Sequence, residues 1–169
     1  FPRTVPYALG LASVGLLPGG ALGFGLLSEL GLLERLSAWA ALDYWPERET
    51  VGGGGHFAFG LTAASLGLYA NLLRVRLAGL ALCGGGMLGS LHAVVLDLEP
   101  TGPGDRLWAA ARAGARLWIP EASTLRAAFG LEAIVPFTRH RFTVRDEPGD
   151  VFRQSPVALH ASLGAGVRF

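Results

Sequence analysis

His160 and Ser162 are two residues apart, so on an extended strand they project from one face. A hydroxyl beside an imidazole is raw material for nucleophilic catalysis, because the ring can take the proton as the oxygen attacks. The same pair also reads as an interior histidine beside a small residue that makes room for it. The histidines at 56, 92, 140 and 160 have no His-x-x-x-His type of spacing, so neither metal nor cofactor is expected. Gly52–Gly55 precedes no Lys-Ser/Thr and opens no helix, which predicts a flexible loop and no phosphate cradle. Arg139, His140, Arg141 and Arg145 form a basic cluster that is either simply solvated or in contact with acidic sugars and phosphates. The single Cys83 cannot form an internal disulfide.

The elements that carry these residues are constrained by size and composition. The 169 residues suit one domain, 1–169. Half the chain is apolar (51%) and only 16% is charged, with a mean hydropathy of +0.42, a high value for a water-soluble protein. A net charge of +1 gives no footing for nucleic acid. All 14 basic residues are Arg, as the codon bias of a GC-rich genome would give. The start at Phe1, with Pro2 and Pro6 and no signal-peptide pattern, suits a mature exported protein or an excised domain. A domain preceding Phe1 would make the rest an anchor.

Residues 8–33 are apolar enough to suggest a membrane helix, but Pro18-Gly19-Gly20 cuts the run below the roughly 20 residues that spanning requires. Further glycines at 23, 25 and 31 each cost a helix about 1 kcal/mol. Period two fits better. From Leu107 to Ile119 one face is Leu, Ala or Ile throughout, and the other carries Trp108, Arg112, Gly114, Arg116 and Trp118. From Leu125 to Phe137 one face is wholly apolar and the other holds Arg126, Gly130 and Glu132. From Val157 to Phe169 the apolar face opposes His160, Ser162, Gly164, Gly166 and Arg168.

A soluble sheet turns a Lys-, Glu- and Thr-rich face to water. Here the polar face is a few charges among Gly and Ala, which suits a crowded interior, and the apolar face suits lipid. Every backbone N–H and C=O must be bonded inside hydrocarbon, and only a closed barrel leaves no edge. Strands are expected at 7–17, 21–32, 36–45, 56–70, 74–92, 107–119, 125–137 and 156–169. Short connections at Leu33–Arg35, Asn71–Leu73 and Pro120–Thr124 alternate with long polar ones at 46–55, 93–106 and 138–155, the tight first turn at 18–20 excepted. This predicts an all-β, closed, antiparallel, eight-stranded up-and-down transmembrane barrel with its long loops at one end. Cys83-Gly84-Gly85-Gly86 invites a bulge in the fifth strand. Tyr7, Tyr44, Trp45, Trp108 and Trp118 fall near strand ends, where rings favour the headgroup level, although the phase points Trp108 and Trp118 inward.

The C-terminal stretch Val157–Phe169, with Leu163, Ala165 and Val167 at alternate positions before the final Phe169, resembles the β-signal of bacterial outer-membrane barrels. The whole chain is similar in size and layout to eight-stranded barrels of the OmpA and OmpX type. Its Gly-, Ala-, Leu- and Arg-rich style is similar to barrels of GC-rich Gram-negative bacteria. The resemblance implies outer-membrane location, recognition of Leu163, Ala165, Val167 and Phe169 by the barrel-insertion machinery, and contact with outer-membrane lipid and lipopolysaccharide. Some such relatives carry two cysteines flanking a turn near residues 70–82; with Cys83 alone, that bridge is absent. His160-Ala161-Ser162 superficially looks like the His-x-Ser of outer-membrane lipid A deacylases, but the motif departs after the serine.

Eight strands enclose a lumen that side chains can fill. Its expected charges are Glu29, Arg112, Arg116, Arg126, Glu132, His160 and Arg168, with Asp43 if the third strand turns Trp39 inward. Arg112 and Glu132 are expected to pair, since an unpaired buried charge is costly. The expected function is non-enzymatic: structural, anchoring or surface-interacting through the long loops. The alternatives are a barrel enzyme acting on lipid A or phospholipid through His160 and Ser162, a narrow pore, or a soluble lipocalin-like binder.

Overall fold

Alternation of apolar and small or charged residues gives each strand one face for each side of a curved sheet. The computed structural model describes residues 4–52, 55–96, 104–120, 123–143 and 151–168. Its strands are β1 (Thr4–Val14), β2 (Gly20–Leu33), β3 (Leu36–Gly52), β4 (Gly55–Arg74), β5 (Gly79–Val95), β6 (Arg106–Ile119), β7 (Leu125–Pro136), β8 (Arg141–Phe142), β9 (Phe152–Arg153) and β10 (Ala158–Val167). Eight of them close into a barrel in the order β1-β10-β7-β6-β5-β4-β3-β2, every pair antiparallel. β8 and β9 form a separate two-stranded sheet. The pairing of β1 with β10, from Tyr7↔Gly166 to Val14↔Leu159, seals the sheet and removes its edges.

The outer wall is apolar. Phe24 and Leu66 are 66% and 71% exposed, and Leu22, Leu26, Leu42, Leu88, Leu107, Leu131 and Leu159 face the same way. So continuous an apolar surface exceeds anything a monomer exposes to water and calls for lipid. The inner wall carries the buried charges and all four tryptophans, Trp39, Trp45, Trp108 and Trp118.

Several boundaries differ from those expected. Residues 46–55 are not a long loop: β3 and β4 continue past a register shift between Trp45 and Arg48 and stay paired to Gly52↔Gly55. Gly52 and Gly55, the outer members of the glycine run, therefore belong to the backbone ladder of an extended hairpin. The fourth turn lies at Val75–Ala78, not 71–73, with reciprocal backbone bonds of 2.9 and 3.2 Å between those residues. The bulge of the β4–β5 ladder falls between Asn71 and Leu73, and the glycine run 84–86 pairs in unbroken register. Of the five aromatics assigned to the headgroup level, only Tyr44 faces outward; Tyr7, Trp45, Trp108 and Trp118 are inside the lumen. Parity along each strand, not nearness to its end, decided their direction. Gly15 and Gly19 have φ of 85° and 69°, a region open to glycine, and frame the first turn.

The seventh connection does more than link strands. Phe142 and Phe152 of the β8–β9 sheet pack on Phe59 of β4, with ring centroids 4.9 and 5.2 Å away. The Ser155 N–H donates to the Gly15 carbonyl at 3.3 Å, tying this connection to the first turn. Its described residues thus reach over the long-loop mouth of the barrel from β4 to the first turn.

Candidate functional site

The lumen gathers the sequence's candidate residues into three layers. In the middle layer β6 supplies Arg112 and Arg116, four residues apart and so on one face, and β7 supplies Glu132. Arg112 is ion-paired with Glu132 and donates to Asp43 Oδ2 of β3 at 3.0 Å and to Ser65 Oγ of β4 at 3.1 Å. Arg116 donates to Glu132 Oε1 and to Ser162 Oγ of β10, each at 3.3 Å. Two guanidiniums thus meet two carboxylates in a buried, charge-balanced layer that ties β3, β4, β6, β7 and β10 together. Burial of any one charge alone would be prohibitive, so the four are interdependent.

Aromatic rings support this layer from below. The Arg112 guanidinium lies 4.9 Å from the Trp39 ring centroid and Arg116 lies 5.6 Å from that of Tyr69. Tyr69 in turn packs edge-on against Trp118 at 5.4 Å. Gly67 and Gly85 clear the space for Trp39: a Cβ on either would lie 2.6 or 2.8 Å from its Cζ2 atom. This explains inward glycines that periodicity alone could not assign.

His160 and Ser162 do share the lumen face, both buried. The geometry does not join them as base and nucleophile. Arg116 occupies the Ser162 hydroxyl, and neither ring nitrogen of His160 has a hydrogen-bond partner among the described residues. The imidazole instead packs edge-on to Trp45 at 5.7 Å.

The remaining expected lumen charges gather elsewhere. Glu29, Arg126 and Arg168 sit at the short-turn end, lining a cleft of 380 Å³ with Arg74. Arg74 donates to Glu29 Oε1 at 3.5 Å and to Ser37 Oγ at 3.3 Å. Sequence periodicity missed Arg74 because it ends the fourth strand at 70 and places a turn at 71–73, whereas β4 runs on to Arg74 past a bulge after Asn71 that turns this side chain inward at the short-turn end.

The third layer lies under the long-loop cap. Gln154, from the connection after β9, receives a bond from Trp108 Nε1 and donates to the Leu16 carbonyl, both at 3.2 Å. No pattern in the sequence marks Gln154, because a loop residue has no periodicity to betray an inward side chain. Among the basic loop residues, Arg141 stands directly across from Arg153 and His140 Nε2 donates to the Leu107 carbonyl at 2.9 Å; Arg145 lies outside the described residues. Leu163, Ala165 and Val167 of the terminal signal face outward, and Phe169 is also outside the described residues. Among the described residues no three His, Cys, Asp or Glu side chains are grouped to hold a metal ion.

No protein-family model and no curated protein sequence matches the chain. Solved structures do. A major outer membrane protein of Thermus thermophilus superposes with a TM-score of 0.66 at 16% identity, over 99% of this chain and 98% of that one. Neisserial surface protein A gives 0.58 at 13% identity, over 99% and 97%. Ail, the attachment invasion locus protein of Yersinia pestis, crystallised with the heparin analogue sucrose octasulfate, gives 0.57 at 14% identity over the same shares. With its closed sheet and lipid-compatible wall, the chain has the fold of the eight-stranded bacterial outer-membrane β-barrels.

Proposed function

We propose that this barrel is a sealed structural body of the outer membrane whose function lies on its outside, in envelope support, anchoring or surface contact through the long-loop end. The observation that carries this reading is the middle layer of Asp43, Arg112, Glu132 and Arg116, with the Phe59–Phe142–Phe152 and Gln154 cap above it. Side chains from opposite walls bond across the lumen at two levels, which supports a plugged barrel over a narrow pore. The lumen pair His160 and Ser162 serves packing in this account, since Arg116 already holds the hydroxyl.

Lipopolysaccharide suits the basic positions Arg139, Arg141 and Arg153 around the β8–β9 sheet, because guanidiniums pair with phosphate and acidic sugars. The sulfated sugar on Ail is a fold-level analogy for such contact. Engagement of Leu163, Ala165 and Val167 by the barrel-insertion machinery belongs to the same reading.

Conductance across a planar lipid bilayer tests the sealed lumen. The intact chain is expected to give no steps above the bare membrane. Reproducible single-channel events from folded protein would show an open path and overturn it. Lipid A from cells carrying His160→Asn and Ser162→Ala should keep its acylation pattern; an altered pattern would restore the lumen pair as a catalytic site.

A further inference from the structure

Outside the lumen, three polar side chains on the lipid-facing wall align in a way the sealed barrel does not require. Thr62 of β4 faces outward, and its Oγ1 lies 3.1 Å from Nε2 of His92 on β5. On the far side of the ring, Nδ1 lies 2.9 Å from Oδ1 of Asp105, the residue before β6. The carboxylate can only accept, so Nδ1 carries a proton, and in the neutral ring Nε2 is bare and accepts from the Thr62 hydroxyl. This fixes one tautomer and one direction for the proton.

The alignment is set by the backbone. The Ala93 N–H donates to the Gly104 carbonyl at 3.1 Å, which holds the residue before Asp105 against the residue after His92. Thr62 is directly across from Ser90, whose side chain also faces outward, one pleat below His92. His92 and Asp105 side chains are 30% and 73% exposed, and an exposed pair of this kind adds little to stability. The three residues therefore do not hold the barrel together, and they stand where a molecule in the membrane interface can reach them.

Immediately below them runs an apolar groove of 850 Å³ on the outer wall. Ala64, the next outward residue after Thr62, lines it with Leu66, Leu88, Leu42 and Gly86. A groove of this size takes a fatty acyl chain, and its lining residue Ala64 is two positions along β4 from Thr62, on the same face.

We propose that Thr62, His92 and Asp105 form a nucleophile–base–carboxylate relay that hydrolyses carboxylic esters of long-chain amphiphiles seated in this groove. Thr62 Oγ1 attacks the ester carbonyl carbon as its proton passes to Nε2 of His92, and Asp105 balances the imidazolium. The tetrahedral adduct expels the alcohol, which takes the proton back from Nε2, and leaves an acyl-Thr62 ester. Water then attacks the acyl carbon, giving its proton to Nε2; the acid is released and Thr62 regains its hydrogen. In this relay Ser90, directly across from Thr62, supplies the hydroxyl that donates to the developing oxyanion.

The test uses the full chain in diether-phosphatidylcholine vesicles, which contain no carboxylic ester, with p-nitrophenyl laurate as probe and p-nitrophenyl acetate beside it. Laurate turnover above protein-free vesicles is expected, with much slower acetate turnover. It should fall by about 10²-fold or more in His92→Asn and Thr62→Val and persist in Thr62→Ser. Asp105→Asn should also slow it, by favouring the wrong tautomer. Acid quenching should trap a lauroyl ester on the Thr62 peptide, read by mass spectrometry. The substituted positions are all on the outer wall or rim, and heat-modifiable migration on a gel reports whether each variant is folded. No turnover by the intact chain, or equal turnover by folded Thr62→Val and His92→Asn, overturns the relay. Acetate turned over as fast as laurate overturns the groove as its acyl site. A silent bilayer trace beside failed hydrolysis would leave the sealed barrel standing and remove this proposal alone.

Discussion

Glu132 on β7 lies directly across from Gly114, the residue midway between Arg112 and Arg116 on β6. A Cβ at position 114 would come 2.6 Å from the Glu132 Cα and 2.8 Å from its Cγ. The missing side chain lets the carboxylate lie flat between the two guanidiniums and bond both. Gly114→Ala should therefore displace the strand or the carboxylate and destabilise the barrel by about 1–3 kcal/mol, as overpacking does. Urea unfolding from detergent micelles, followed by the loss of heat-modifiable migration, measures it. Unchanged stability would mean that the carboxylate does not need the gap.

Glu132→Gln should cost more. The change leaves Arg112 with Asp43 but takes from Arg116 its ion-pair partner in the middle layer. Breaking a buried pair from one side typically costs about 3–5 kcal/mol. Adding Arg116→Met to Glu132→Gln should recover part of the loss, because the buried charge goes with it. The same unfolding assay reads both; a double variant less stable than Glu132→Gln alone would contradict the pairing.

The inward direction of every tryptophan gives an optical prediction. Trp39, Trp45, Trp108 and Trp118 are each no more than 4% exposed. Intrinsic fluorescence should be insensitive to brominated acyl chains in the surrounding bilayer. Phe24→Trp, which places an indole on the lipid face, should add a strongly quenched component. Marked quenching of the unmodified chain would place at least one native indole among the lipids.

Gln154 joins the cap to the wall, through Trp108 and the Leu16 carbonyl. Gln154→Ala strands both buried partners, each worth about 1–3 kcal/mol. The expected result is faster proteolytic cleavage between residues 137 and 157 with the barrel itself intact. Cleavage at the original rate would show that the cap is held by Phe142 and Phe152 without it.

Much of this architecture could be read in the chain before any coordinates. Two-residue alternation over Leu107–Ile119 and Leu125–Phe137 assigned lipid and lumen faces, because a pleated strand admits only two directions for a side chain. The inward placement of Arg112, Arg116, Glu132, His160 and Ser162 followed from that parity. Strand ends were harder. The β3–β4 hairpin runs on through Glu47–Gly52, where the sequence turns polar, because backbone pairing continues after lipid contact has ended. Arg74 was lost for a related reason: the stretch 71–73 reads as the turn, whereas β4 continues through it with a one-residue bulge that reverses parity and of which periodicity carries no record.

What the sequence determined by itself is the sidedness of the sheet, since hydrophobic patterning is local and lipid and lumen reward opposite chemistries. Which groups meet was decided only by the closed tertiary structure. Asp43, Arg112 and Ser162 are far apart along the chain, as are Thr62, His92 and Asp105. Their meeting depends on the register of strands that are not all neighbours, a property of the closed ring and not of any one segment. Gln154 is the extreme case, for only the folding of a loop back over the mouth turns it inward.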